Sequence, residues 1–235
     1  MGDHNNAMAG RMLITGAAMR IGAEMAAHFA AMGWHIILHY HSSEAEAAEQ
    51  ARQIEASGGR VSLVAADLSS EDDVTRLMAA ATADGTVTAL VNNASLFRYD
   101  DAHTVSFEAI AAHMTVNLSA PALLTRLFYQ QLGAQDKGCV INMLDAKLFG
   151  INPDYFSYTL SKSALLCLSQ ISAQAYAPKM RVNGIAPGIH EFVPVTFNAR
   201  HFCRAGLCVH TALSSRDCEY SRSLYAFSVR DRSCV

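Results

Sequence analysis

A parallel β-sheet wound with helices on both faces is the fold class this sequence predicts, and three observations predict it. Short β-rich runs alternate with longer stretches of helical periodicity along most of the chain, the pattern of strands joined by crossover helices. The first β-run passes through a glycine-bearing turn straight into a helix. No repeat or low-complexity linker divides residues 1–190, and that length suits one α/β domain.

Residues 11–15 end a short strand, and 21–32 place Ile21, Met25, Phe29 and Met32 at helical spacing. A strand at 34–40 follows, then an Ala/Glu-rich helix from about 43 to 57, a strand at 61–66 and a helix from about 71 to 83 behind the cap candidate Ser70. The second half continues the alternation: strand 89–92, helices near 107–114 and 121–131, strand 139–143, a long helix from about 155 to 176 and strand 180–185. Six strands in this order predict a doubly wound, Rossmann-like sheet whose ligand crevice lies at the carboxyl ends of the strands.

Charge and hydropathy exclude several classes of function. Eighteen basic against 21 acidic side chains leave a net charge of −3, and no Lys/Arg run is long enough to follow a phosphate backbone, so nucleic acid is not an expected partner. Residues 1–10 have neither the basic start nor the apolar run of a secretory signal, and no apolar stretch reaches the roughly 18 residues of a membrane span. A cytoplasmic protein without a membrane partner is expected. Six cysteines do not make a disulfide scaffold at this length; Cys139 and Cys167 sit in apolar runs and are expected as core side chains.

The residues that carry chemistry fall at the ends of the predicted strands. In Thr15-Gly16-Ala17-Ala18-Met19-Arg20-Ile21-Gly22, Gly16 permits a tight turn and Gly22 close packing, and the helix opening at Ile21 can receive a dinucleotide pyrophosphate on its N–H groups. Arg20 in the first turn opposes the helix dipole, which favours a nearby anion. After the second strand stand His39-Tyr40-His41-Ser42-Ser43, with no carboxylate before Glu44. An acceptor for the ribose hydroxyls of NAD is thus missing, whereas imidazole and hydroxyl donors suit a 2′-phosphate, and NADPH is the expected cofactor.

Asp67-Leu68 closes the third strand and Asn92-Asn93-Ala94-Ser95 the fourth, with Phe97 just beyond. Tyr158-Thr159-Leu160-Ser161-Lys162 puts a phenol and an ammonium at i and i+4 on one helix face. Lys162 is expected to lower the pKa of the Tyr158 phenol from its usual value of about 10. Asp145 ends the fifth strand; its carboxyl group can pair with ring and amino nitrogens or shuttle a proton.

In their order along residues 11–188 these motifs resemble the short-chain dehydrogenase/reductase family. Arg20 in place of a third glycine, the His-Tyr-His run and Asp145 in place of serine are similar to the pteridine reductases. Ser42 departs from them, since arginine is common there, and Ser95 replaces the glycine of the wider family's Asn-Asn-Ala-Gly. The resemblance implies that Arg20 lies beside the cofactor phosphates and the substrate, that Asp67 holds the adenine amino group, and that Asn93, Ala94 and Ser95 line the cofactor. It implies pterin contacts from Ser95 and Phe97, and closure of Pro187 and Gly188, in the loop after the sixth strand, over the nicotinamide. Tyr158 would relay a proton, Lys162 tune it and hold the ribose, Asn117 position Lys162 through water, and Asp145 orient or protonate the pterin.

The activity so implied is hydride transfer from NADPH to a dihydropterin in a homo-oligomer, a tetramer in the family or a dimer here. A keto- or quinone-reductase is the alternative within enzymes, and a non-catalytic nucleotide-binding remnant the alternative outside them. The remnant is suggested by the end of the chain, where 191–235 departs from the pattern of the catalytic domain at 1–190. That segment has Cys203, Cys208, Cys218 and Cys234, six arginines against Glu191, Asp217, Glu219 and Asp231, no lysine and one glycine, Gly206. Its composition is that of a frameshifted or disordered tail, which would leave the C-terminal edge of the sheet incomplete. Alternation at 223–229 offers one candidate edge strand. His201, Cys203, Cys208 and His210 match no structural zinc spacing, and no metal is expected.

Overall fold

Alternate side chains of each strand point to opposite faces, and here both faces are apolar, so one sheet supports two cores. In the computed structural model, which describes residues 9–187 and the backbone of Gly206–Val209, the strands are β1 (Gly10–Ile14), β2 (Trp34–Tyr40), β3 (Arg60–Ala65), β4 (Ala89–Asn92), β5 (Gly138–Met143), β6 (Met180–Pro187) and β7 (Gly206–Val209). Leu13, Ile37, Leu90, Val140 and Val182 face the layer of α3 (Glu71–Thr82), α5 (Ala120–Gln131) and α6 (Phe156–Tyr176), against Val74, Leu77, Leu124, Phe128 and Ala173. Met12, Ile14, Ile36, Leu38 and Val91 face α1 (Arg20–Ala31) and α2 (Glu44–Ala56), against Met25, Ala26, Ala47 and Ile54.

The sheet runs β3-β2-β1-β4-β5-β6-β7, with β1 to β6 parallel. The chain steps outward from β1 to β3 on one side, then from β4 to β6 on the other, so the order reverses between β1 and β4. Loops leaving these two strands diverge to opposite faces, which opens a crevice beyond their carboxyl ends.

Ser70 caps α3, its hydroxyl accepting from Asp73 N–H at 3.3 Å, and Glu71, Asp72 and Asp73 lie in the first turn, where carboxylates complement the dipole. The two helices read near 107–114 and 121–131 are continuous: α4 (Phe107–Met114) passes through a π-helical turn at Thr115–Ser119 into α5, with Pro121 in its first turn. That wider turn carries Asn117. A short 3₁₀ turn, Ala146–Phe149, follows β5.

The edge expected to be incomplete carries β7, antiparallel to β6 from Gly184↔Val209 to Pro187↔Gly206. Among the described residues, 180–183 have no further strand beside them. The run at 223–229, Gly188, and the side chains of His201, Cys203, Cys208, His210, Cys218 and Cys234 lie outside the described residues. Cys139 is half-buried, but Cys167 is exposed on the outer side of α6 and is not the core side chain expected: its neighbour Leu165 takes the inward position. No helix among the described residues is long and apolar enough to cross a membrane.

Candidate active site

The turn after β1 is fixed from several directions. Gly16 has φ +63°, and a Cβ there would come within 2.9 Å of Ala94 Cα. At Gly22 a Cβ would stand 2.3 Å from the Gly16 carbonyl oxygen, so both positions require glycine. Asn93 Nδ2 donates to the carbonyls of Thr15 (2.9 Å) and Gly16 (3.0 Å), and the Thr15 hydroxyl accepts from the N–H groups of Asn93 and Ala94. Arg20, the first residue of α1, is exposed with φ +53°. That left-handed backbone explains why glycine is the usual occupant in the family resembled here and why arginine carries strain.

His39 does not point its imidazole at the crevice as a free donor. It is 2% exposed, with Nδ1 accepting from Gly16 N–H (3.0 Å) and Nε2 donating to the Ala66 carbonyl (3.1 Å). Burial drives its pKa down to about 4, against a smaller upward pull from the Ala66 carbonyl. The folded protein therefore stays neutral at His39 while an unfolded chain takes up a proton below its ordinary value of 6.5. Stability is expected to be complete above about pH 6.5 and to fall by about 3 kcal/mol as the pH drops toward 4, where the loss ends. Denaturant titrations of wild type and His39→Asn across this range check it; equal slopes with pH would contradict it.

Tyr40, His41, Ser42 and Ser43 follow at the rim of the same cleft, with His41 and Ser42 exposed. Ser43 is the N-cap residue of α2 but makes no side-chain capping bond. Asp67 accepts from both the N–H and the hydroxyl of Ser69 at 2.8 Å, which holds its carboxyl below the usual carboxylate range, and Leu68 is buried beside it.

Across the cleft, Asp145 ends the loop after β5. Its Oδ1 caps the 3₁₀ turn through Lys147 N–H (2.8 Å), and its Oδ2 accepts from Tyr158 Oη at 2.7 Å. Lys162 is 3% exposed, with Nζ donating to the Met143 carbonyl at 2.7 Å and standing 5.7 Å from the Tyr158 ring centre. Here the structure corrects one expectation: the Tyr158 pKa is raised, not lowered. Burial penalises the phenolate, and the Asp145 carboxylate both accepts the phenol proton and repels the anion. Burial in turn pulls Lys162 down to about 8, offset in part by Asp145.

Asn117 is buried in the π-turn. Its amide bridges Leu96, at 2.7 Å from the N–H and 2.9 Å to the carbonyl, and donates to Ser161 Oγ at 2.9 Å. Its direct partners are therefore the loop after β4 and the residue preceding Lys162. Ser95 Oγ reaches Asn117 Oδ1 at 3.3 Å. Phe97 is 55% exposed and stacks on Tyr155, ring centres 4.2 Å apart at 11°. The cleft so formed, about 1550 Å³, takes in Gly16, Arg20, Ile21, Gly22, Asn93, Ala94, Ser95, Phe97, Asp145, Tyr158, Lys162 and Pro187, together with the Tyr40 to Ser43 and Asp67-Leu68 stretches. Asn117 lies behind its wall.

Three supports escaped the sequence reading. Buried Asp100 accepts the Ser157 N–H at the start of α6, while His113 accepts Arg98 N–H (3.2 Å) and lies 2.7 Å from Ser157 Oγ. Together they lock the loop bearing Ser95 and Phe97 to the helix bearing Tyr158. Nothing in their spacing marks them, since the partners lie 15 to 57 residues apart.

The sequence matches the short chain dehydrogenase family over residues 11–202. It is 33% identical over 180 residues to 3β-hydroxysteroid dehydrogenase 1 of Eggerthella lenta, covering 75% of this chain and 69% of that protein. Among solved structures, FolM alternative dihydrofolate reductase 1 from Brucella suis, in complex with NADP, aligns with a TM-score of 0.74 at 38% identity, over 77% of this chain and 76% of that one. The promiscuous reductase LugOII, which catalyses keto-reduction at C1 during lugdunomycin biosynthesis, aligns with a TM-score of 0.73 at 32% identity, over 77% and 75%. A glycine turn at the switch point and a Tyr-Lys pair on the helix before β6 agree with these matches: the chain belongs to the short-chain dehydrogenase/reductase family and is an oxidoreductase.

Proposed function

We propose that this protein is an NADPH-dependent reductase of dihydropterins. The observation that carries the substrate class is the Asp145 carboxylate, facing the cleft at 2.7 Å from the Tyr158 hydroxyl. A hydroxyl in that place offers a single oxygen, whereas the two oxygens of a carboxyl group can pair with adjacent ring and amino nitrogens. The exposed ring of Phe97 beside it suits a flat heterocycle. The NADP complexes of the FolM structures from Brucella suis and Brucella canis, at 38% and 36% identity, support the same reading.

The cofactor fits the residues present: glycine at 16 and 22 lets the turn pack against Ala94 and the Gly16 carbonyl, and the turn opens into the N-terminus of α1, which has no side-chain cap and no carboxylate in its first turn and can receive a pyrophosphate on its N–H groups. Arg20, Ile21 and Gly22 would hold the phosphates, Tyr40, His41, Ser42 and Ser43 the 2′-phosphate end, Asp67 and Leu68 the adenine, and Asn93, Ala94, Ser95, Lys162, Pro187 and Gly188 the nicotinamide half. When bound, NADPH supplies a hydride. Tyr158, kept protonated by burial and by Asp145, supplies the proton; Lys162 counters the charge that develops as it leaves; and Asp145 orients the pterin. Asn117 holds the Ser95 loop and the Lys162 helix in register.

Keto-reduction is the second reading, favoured by the similarity to LugOII and to the hydroxysteroid dehydrogenase. Two measurements test the proposal. NADPH should bind roughly 10- to 100-fold more tightly than NADH, since charge-assisted contacts to the 2′-phosphate are worth about 1.5–3 kcal/mol; equal dissociation constants would remove the NADPH assignment. A pterin should raise the melting temperature of the NADP-saturated protein where a simple ketone does not. A shift with the ketone alone would favour the second reading.

A further inference from the structure

We infer that His39 is a positioning residue for the phosphate-binding turn, fixing the peptide planes around Gly16 through the tautomer that the Ala66 carbonyl imposes. The inference rests on the reading that this cleft holds NADPH. One residue of β2 holds two successive N–H groups of the turn: the Gly16 N–H donates to His39 Nδ1 at 3.0 Å and the Ala17 N–H to the His39 carbonyl at 2.9 Å. From the opposite side Asn93 Nδ2 holds the Gly16 carbonyl at 3.0 Å. With its N–H and its carbonyl both engaged, Gly16 keeps the φ of +63° that directs the chain past Ala94 and into α1.

The tautomer decides whether this works. An imidazole can accept at Nδ1 only if its proton sits on Nε2, and which nitrogen carries the proton is set by the partner of the other. The Ala66 carbonyl, 3.1 Å from Nε2, accepts that proton, leaving the Nδ1 lone pair for Gly16. Ala66 immediately precedes Asp67, so the same ring ties the phosphate turn to the loop after β3. The sequence motif around His39 thus divides: His41 and Ser42 are exposed at the rim, whereas the His39 ring is buried with both nitrogens engaged and acts through the turn.

The two ring nitrogens can be replaced one at a time. In His39→Asn the amide oxygen stands about where Nδ1 does and keeps an acceptor for Gly16, while losing the bond to Ala66. In His39→Gln the amide nitrogen reaches the Ala66 carbonyl and leaves the Gly16 N–H without an acceptor. Cofactor dissociation constants are measured on the full chain by NADPH fluorescence titration, with melting temperatures recorded alongside. His39→Asn is expected to bind NADPH within about threefold of wild type despite a lower melting temperature. His39→Gln is expected to bind it roughly 10- to 100-fold more weakly, the cost of an unmade buried hydrogen bond. NADPH KM should rise in His39→Gln with kcat nearly unchanged. Equal affinities in the two variants, or tighter binding by His39→Gln, overturn the inference.

A second readout needs no variant. Long-range proton–nitrogen correlation spectra of histidine-labelled wild type should show His39 protonated at Nε2 and unprotonated at Nδ1; the opposite tautomer overturns the inference. Failure of wild type itself to bind NADPH overturns instead the reading on which it rests.

Discussion

Asp145→Ser is expected to lower dihydropterin turnover by about 10²- to 10⁴-fold while leaving the fold and NADPH affinity in place. Serine keeps the one structural duty of Asp145, since a hydroxyl caps the Lys147 N–H as a carboxylate does. It abolishes the charge that faces Tyr158 and the second oxygen that would meet the substrate. The phenol should respond as well: with the Asp145 hydrogen bond and charge gone, only burial still raises the Tyr158 pKa. Steady-state kinetics and an absorbance titration of tyrosine read the two effects separately. Undiminished pterin turnover in Asp145→Ser would sink the assignment of Asp145 to the substrate.

Lys162→Met is expected to reduce turnover by about 10²- to 10³-fold, the usual consequence of deleting one preorganised charge in an enclosed site, with little loss of stability. The ammonium is almost fully buried and held by the Met143 carbonyl, and burial outweighs the attraction of Asp145 in drawing its pKa from 10.5 to about 8. At neutral pH that represents about 3 kcal/mol of unfavourable burial, which an isosteric apolar side chain relieves. Against it stands the Met143 carbonyl left without a donor, about 1–3 kcal/mol. The two nearly cancel. The pH dependence distinguishes the proteins: above about pH 8 folded wild type sheds a proton that the unfolded chain keeps to about 10.5, so its stability rises across that window. The methionine variant should lack this rise, and denaturant midpoints from pH 7 to 10.5 would show it; parallel curves would contradict the account of Lys162.

Local signals made the fold legible. Apolar runs at 34–40, 89–92 and 139–143 are strands within a residue of expectation, because both faces of a parallel sheet are buried and the runs are continuous. Features set by more distant partners were not legible. The π-turn at Thr115–Ser119 is invisible in a pattern that asks only for helix or strand, and Pro121 disguised it as a helix start. The β7 strand lies in a segment whose composition reads as a frameshifted or disordered tail, and whose one candidate edge strand, 223–229, falls elsewhere in it.

The cleft was legible where chemistry depends on spacing along one element. Tyr158 and Lys162 meet because i and i+4 share a helix face, and Gly16 and Gly22 because a turn leads into a helix. The sign of the Tyr158 shift was not legible: it depends on burial and on Asp145, which comes from another strand, and these outweigh the visible lysine. The role of His39 was not legible for a related reason. Its neighbours His41 and Ser42 are exposed, and only the position of the Gly16 turn relative to β3 shows that its ring is enclosed.

The most direct test of the central claim is NADPH oxidation by the full chain with a dihydropterin and, in parallel, with simple ketones and a quinone. The kcat/KM for the flat 2-amino-4-oxo heterocycle is expected to be at least about 100-fold above that for any simple ketone, a difference of about 3 kcal/mol drawn from paired contacts that only Asp145 offers. Equal or greater efficiency with ketones, or no pterin-dependent NADPH oxidation by protein that binds the cofactor, would contradict it.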